Sequence, residues 1–207
     1  YSDNGYMGQE NVIDAESENV EISLCLADGS ALTVSYAQAA QPESPSNGQY
    51  WLDTSGKLHT LKQWAEASGQ WVSVPTVYLK LSANGIGRGF KQYDGIQLSG
   101  LAGNEQIEKL NGSQILHAVD ESYIVIVGLG DETAKATSGT VKTARRVPSM
   151  DFITECGSRL WGCKYGVADG KTVNEIYCCK LGDFKNWACY QGVATESWRA
   201  SCGTDGK

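Results

Sequence analysis

Asn-Gly at 4, 47, 84 and 111 and Asp-Gly at 28, 94, 169 and 205 divide this chain of 207 residues into short pieces. These two pairs adopt the positive φ angles of tight hairpins more readily than any others. Their density predicts an antiparallel β architecture. Residues 20–26 (VEISLCL) alternate in period two, and Asp28-Gly29 turns them toward 31–36, which predicts a first hairpin. The stretch 37–49 carries Pro42 and Pro45 among Gln and Ser and reads as an exposed loop. Residues 50–53, 57–64 and 70–74 predict a Trp-rich meander with turns at Ser55-Gly56 and Ser68-Gly69. A short helix at 60–67 competes with it, since Leu61, Trp64 and Ala65 share helical spacing. Residues 77–82 and 95–99 predict further strands, 103–109 a loop or one helical turn, and 130–140 a hinge.

The last quarter is the most patterned. Residues 152–156, 159–165 and 175–181 are rich in aromatic, β-branched and Cys side chains, with turns expected at Gly157-Ser158, 166–171 and Gly182-Asp183. Short antiparallel strands of this kind build one propeller blade or half a sandwich. The expected class is all-β and mainly antiparallel, with a small sandwich or barrel-like domain and a propeller-like blade. Its parts are an N-terminal extension or fragment start at 1–19, a β-rich domain with the Trp-rich meander at 20–130, a linker at 131–146, and the blade region at 147–207. That region holds too few units to close a ring. Tyr1-Ser-Asp-Asn-Gly5 shows no initiator Met and no signal-peptide pattern, which fits a piece of a longer protein.

Composition narrows the function classes. A formal charge of −7 opposes nucleic acid, whose binders display basic fields. The densest basic cluster, Lys142, Arg145 and Arg146, falls in the expected linker and reads as solvated or as ion-pair partners. The longest apolar run is residues 123–127, far short of the roughly 20 that a membrane helix needs. Six of the seven cysteines lie at 156, 163, 178, 179, 189 and 202, without CxxC pairing and far in sequence from His59 and His117. They read as reduced thiols used as small apolar residues in a protein assembled in a bacterial cytoplasm, and no metal or cofactor is expected. Adjacent Cys178 and Cys179 should point to opposite faces of a strand.

The candidate sites have structural readings. Asn84-Gly-Ile-Gly-Arg-Gly89 lacks the Gly-Lys-Ser/Thr ending of a phosphate loop, and Val127-Gly-Leu-Gly-Asp131 precedes turn formers rather than a helix. Asp53, Asp94 and Asp183 sit beside turns, where Asp bonds the local backbone. His117 falls in an apolar strand, and Asn111-Gly-Ser matches a glycosylation acceptor but is equally a tight turn. No catalytic residue is implied, and no enzyme is expected. Trp51, Trp64, Trp71, Trp161, Trp187 and Trp198 are the functional lead: core packing is expected, and stacking on sugar rings is the alternative where several share an exposed face, with Trp198 and Tyr190 nearest to that case.

Three elements carry a family likeness. Gly157, Arg159, Leu160 and Trp161, then Leu181, Gly182, Asp183, Asn186 and Trp187, resemble a blade of virion structural proteins of tailed bacteriophages or prophages of gut bacteria. Residues 45–54 (PSNGQYWLDT) are similar to the "NGxYWxDTS" element of phage tail and fibre proteins. Residues 93–100 (YDGIQLSG), 110–117 (LNGSQILH) and 123–127 (YIVIV) resemble a small β-domain of phage tail and ring proteins. The likeness covers roughly residues 45–205. It implies a structural virion component of the tail or head–tail connection, acting by assembly with other virion proteins and by self-association in a ring. The alternative is a carbohydrate- or receptor-binding module of the virion, and the least favoured reading is a glycan hydrolase on a propeller scaffold. For Trp161 and Trp187 it implies packing between strands or neighbouring blades.

Overall fold

The computed structural model describes residues 13–57, 59–103, 105–128, 135–136, 139–145, 147–148, 150–168, 171–184, 186–187 and 194–202, the side chains of 135–136, 167–168 and 171–173 excepted. Its strands are β1 (Ile13–Glu18), β2 (Glu21–Cys25), β3 (Val34–Gln38), β4 (Tyr50–Asp53), β5 (Thr60–Ala65), β6 (Gln70–Ser73), β7 (Tyr78–Ser82) and β8 (Gly95–Ser99). The helical turn α1 (Glu105–Glu108) precedes β9 (Gly112–Ile115), β10 (Ala118–Asp120), β11 (Tyr123–Val127), β12 (Lys135–Ala136) and β13 (Thr140–Arg145). The chain continues with β14 (Phe152–Cys156), β15 (Arg159–Ala168), β16 (Lys171–Cys178) and β17 (Trp198–Ser201). Among the described residues all pairings are antiparallel except β3 with β4, so the fold is all-β and mainly antiparallel.

Two sheets, ordered β1-β13-β8-β9 and β10-β11-β7-β2-β12, enclose the main core and form an open sandwich rather than a barrel. Ile22, Leu81 and Ile124 stand opposite one another across β2, β7 and β11, as do Leu24, Leu79 and Ile126. From the other sheet Ile96, Leu98 and Val141 join them, and Ile107 and Leu110 plug one end from α1 and its exit. Period-two alternation puts these residues on one face, and their burial drives the sandwich together.

Several sequence expectations are corrected here. The turn at 26–30 forms, with Gly29 N donating to Leu26 O at 2.9 Å and Asp28 Oδ1 accepting from Ser30 N at 2.9 Å. A hairpin does not follow it, because β2 is already flanked by β7 and β12. Beyond a single Cys25–Ala31 bridge the chain leaves the sandwich to build a separate sheet, β3-β4-β5-β6. The Trp-rich meander forms as β4, β5 and β6, and β5 is a strand where a helix competed.

Residues 140–145 are no linker: β13 lies between β1 and β8 inside the sandwich. Its inward positions are Val141, Thr143 and Arg145, and the two polar ones hide the alternation. Thr143 Oγ1 donates to Ile86 O at 3.0 Å, and Arg145 pairs with Asp94. Residues 13–18, expected within an extension, form the edge strand β1 against β13. Residues 1–12, and most of the expected hinge at 130–140, lie outside the described residues.

Candidate functional site

The C-terminal sheet has the order β14-β15-β16-β17, a meander whose spatial and chain orders coincide. The turn expected at 166–171 is narrower, since pairing continues through Gly166–Val173 to Ala168–Lys171. The two residues between, Asp169 and Gly170, are outside the described set.

The register gives this sheet two unlike faces. Leu160 and Tyr177 point to one side, where Tyr177, Cys179 and Trp187 pack with Val147, Met150 and Phe184. Trp187 is 3% exposed and its Nε1 donates to Phe184 O at 2.7 Å, so this indole is core. Asn186 then fastens the sheet to the sandwich: its Oδ1 accepts from Gly95 N and its Nδ2 donates to Tyr93 O, both at 3.2 Å.

The other face carries Phe152, Trp161, Cys163, Tyr165, Ile176, Cys178, Trp198 and Ala200. Phe152 is 76% exposed, Tyr165 67% and Trp198 47%. Cys178 and Cys179 do face opposite sides, one lining this surface and the other the packed cluster. Across β15, β16 and β17 the residues Trp161, Cys178 and Trp198 stand in line. The two indoles lean together over the small thiol, with centroids 6.1 Å apart and planes tilted 59°. Beside them opens a cleft of about 370 Å³, completed by Arg159, Ala194, Glu196 and Ser197.

Arg159 builds one wall of that cleft. Its guanidinium donates to Cys179 O at 2.7 Å and also to the carbonyls of Ala194 and Glu196, tying the 194–197 turn to the sheet. Trp161 is steadied by its Nε1, which donates to Cys156 O at 3.2 Å. Outside the cleft, Ile153 is 47% exposed on β14, and every residue of that edge strand is exposed.

The remaining candidates have structural occupations. In the 84–89 loop, Ile86 is buried and a Cβ on Gly87 would come within 2.0 Å of Asp120 O, so the glycine permits a close backbone approach. Asn111 Oδ1 accepts from Leu101 N at 3.0 Å and its Nδ2 donates to Leu101 O at 2.9 Å. Asp53 accepts from Lys62 Nζ at 2.7 Å and from Ser55 N at 2.9 Å, and the Lys62 hydrogen bond leads the effects that hold its carboxyl down at about 2. Asp94 is buried and accepts from Lys91 N at 2.9 Å, Asp183 lies in the 180–183 turn close enough for its charge to push the Asp94 carboxyl up, and Asp53 is held by Lys62 in a different sheet. His117 packs between Tyr78 and Tyr93, centroids 5.0 and 6.4 Å away, and burial pushes its pKa down. Of the basic cluster, Lys142 pairs with Glu16, Arg145 with Asp94, and Arg146 is outside the described residues.

The first three tryptophans form no flat platform. Trp71 stands edge-on to Tyr36, Trp51 and Trp64 at interplanar angles of 87°, 68° and 64°, and Trp51 is buried beneath Lys62 Nζ, 4.6 Å from its ring. Cys25, Cys156, Cys163, Cys178, Cys179 and Cys202 are free thiols. Among the described residues no group of three His, Cys, Asp or Glu is placed to hold a metal ion, and no helix is long and apolar enough to cross a membrane. Tyr190 and Cys189 are outside the described set. Sequence reasoning singled out Trp161 and Trp198 separately but missed their pairing and the Arg159 clamp. The pairing follows from the β16–β17 register, which sets Cys178 opposite Trp198 and has no local signal in the sequence.

Comparison with family models, with curated proteins and with solved structures found no match.

Proposed function

We propose that this chain is a structural component of a tailed-phage or prophage virion, in the tail or head–tail connection, and that it works by protein–protein assembly. One observation supports the reading above the others: β14 is an exposed edge strand with apolar side chains on both faces, Phe152 and Ile153. An open edge offers a row of unpaired N–H and C=O groups to another chain, and solitary edges are usually blunted by Lys, Pro or bulges. β14 contains neither Lys nor Pro, its one charged residue is Glu155, and its register with β15 is unbroken. Covering the two side chains would contribute about 1.5–3 kcal/mol each. The likeness of residues 157–187 to a virion blade supports the same role. The partners are further copies of the chain and other virion proteins, and the setting is the virion after assembly in the bacterial cytoplasm.

Light scattering behind a sizing column, under reducing conditions, tests the assembly. A discrete oligomer is expected, converted to monomer by Phe152→Lys with Ile153→Lys at unchanged circular dichroism. An oligomer indifferent to both substitutions, or a monomer at every attainable concentration, overturns self-association through this edge. Antiserum against the chain should label the tail or neck of intact particles; labelling absent from particles overturns the virion assignment.

A further inference from the structure

We propose that the cleft beside Trp161 and Trp198 is a binding subsite for one or two rings of a neutral saccharide. The inference does not depend on the assembly role, because no residue of β14 lines the cleft, which opens over β15, β16 and β17.

The cleft has walls that are set before a ligand arrives. Trp161 is pinned through its Nε1 to Cys156 O, and the Arg159 guanidinium holds the 194–197 turn by its carbonyls. Ser197 is buried and its hydroxyl donates to Asn186 O at 2.9 Å, fixing the same turn from behind. Fixed walls lower the ordering cost of binding. The volume of about 370 Å³ is at the small end of ligand clefts, the size of a monosaccharide or short disaccharide rather than a peptide helix or strand.

The lining chemistry selects the ligand. A pyranose offers an apolar C–H face and a rim of hydroxyls, which calls for an indole face beside charged or polar groups. Trp198 is half exposed and supplies the face, and Trp161, tilted at 59°, bounds it. Arg159 and Glu196 stand at the same cleft, a donor of fixed direction and a carboxylate acceptor. Arg159 holds the turn through the main-chain carbonyl of Glu196. One positive and one negative group leave the cleft with no net bias toward a charged ligand, and the chain's charge of −7 repels polyanionic glycans. A neutral sugar is the complementary occupant.

Saturation-transfer NMR with maltose, cellobiose and chitobiose, each added to the intact chain, tests this. At least one disaccharide should receive saturation on the protons of one ring face. Trp198→Ala should weaken that binding about tenfold or more. Phe152→Lys, on the β14 edge, should leave it as in the wild type, which separates this site from the assembly surface. No transfer to any of the three sugars, equal transfer in Trp198→Ala, or displacement of the sugar by a polyproline peptide with higher affinity would each overturn the assignment.

Discussion

Replacing Arg145 by Met should expose how the sandwich tolerates a charge pair at its end. Arg145 and Asp94 are both nearly inaccessible, at 8% and 11% side-chain exposure, and they pair directly. Asp94 Oδ2 also accepts from Lys91 N at 2.9 Å. Without Arg145 the carboxylate keeps that one backbone partner, and breaking a buried pair from one side costs about 3–5 kcal/mol. With a urea slope of about 2 kcal/mol/M, the unfolding midpoint should fall by roughly 1.5–2.5 M at neutral pH. Adding Asp94→Asn should recover most of the loss, because removing both charges leaves no buried ion alone. The pH dependence has a definite sign. Burial pushes the Asp94 carboxyl up, the Lys91 N–H and the Arg145 charge pull it back, and Asp183 pushes it up further. Removing Arg145 therefore raises the folded pKa again. A group raised on folding contributes stability that is complete below its unfolded pKa of about 3.9 and is lost as pH rises through the folded value. The Arg145→Met deficit should therefore be small near pH 4 and full near pH 7. Equal deficits at both pH values, or a double variant no more stable than the single one, would refute the reasoning.

Other perturbations read different parts of the molecule. Gly87→Ala forces a Cβ against Asp120 O and should destabilise by about 1–3 kcal/mol in a thermal melt. Asn186→Ala strips the buried Gly95 N–H of its acceptor and should cost about 1–3 kcal/mol, with faster amide exchange along β14 to β17 than along β7. Asp53 should titrate by NMR at about 2 in the native chain, and Lys62→Met should move it back up. Because its folded pKa is depressed, its stabilisation is present above the unfolded value and is lost as acid carries pH down through about 2. Burial pushes the Cys25 thiol up to about 11, so iodoacetamide at pH 8 should modify exposed Cys156 and Cys202 first, as peptide mass spectrometry would show.

Local pattern carried a good share of this fold. Period two and the turn dipeptides located β2, β7, β8, β11 and the C-terminal hairpins, where side chains facing the core are apolar. β13 escaped because Thr143 and Arg145 occupy inward positions and are made tolerable only by Ile86 O and Asp94, groups distant in sequence. The 26–30 turn was visible, but the departure of β3 was not, since which strand takes an edge depends on competing partners elsewhere. At the cleft, the residue types were conspicuous and their alignment was not. Trp161 and Trp198 meet through Cys178 only after the chain from 179 to 197 has returned to the sheet.

The β1–β13 pairing sets the order of events on the way to the native state. Glu16 and Lys142 join across 126 positions, whereas β4, β5 and β6, and likewise β14, β15 and β16, pair with sequence neighbours. Closing the long loop costs more chain entropy and slows the search, while local hairpins form early. On a ribosome the aromatic insert can mature while the sandwich still lacks a central strand. Ile13, Ala15 and Ser17 must wait in solvent until β13 has emerged, which makes the first strand the segment most dependent on protection during synthesis.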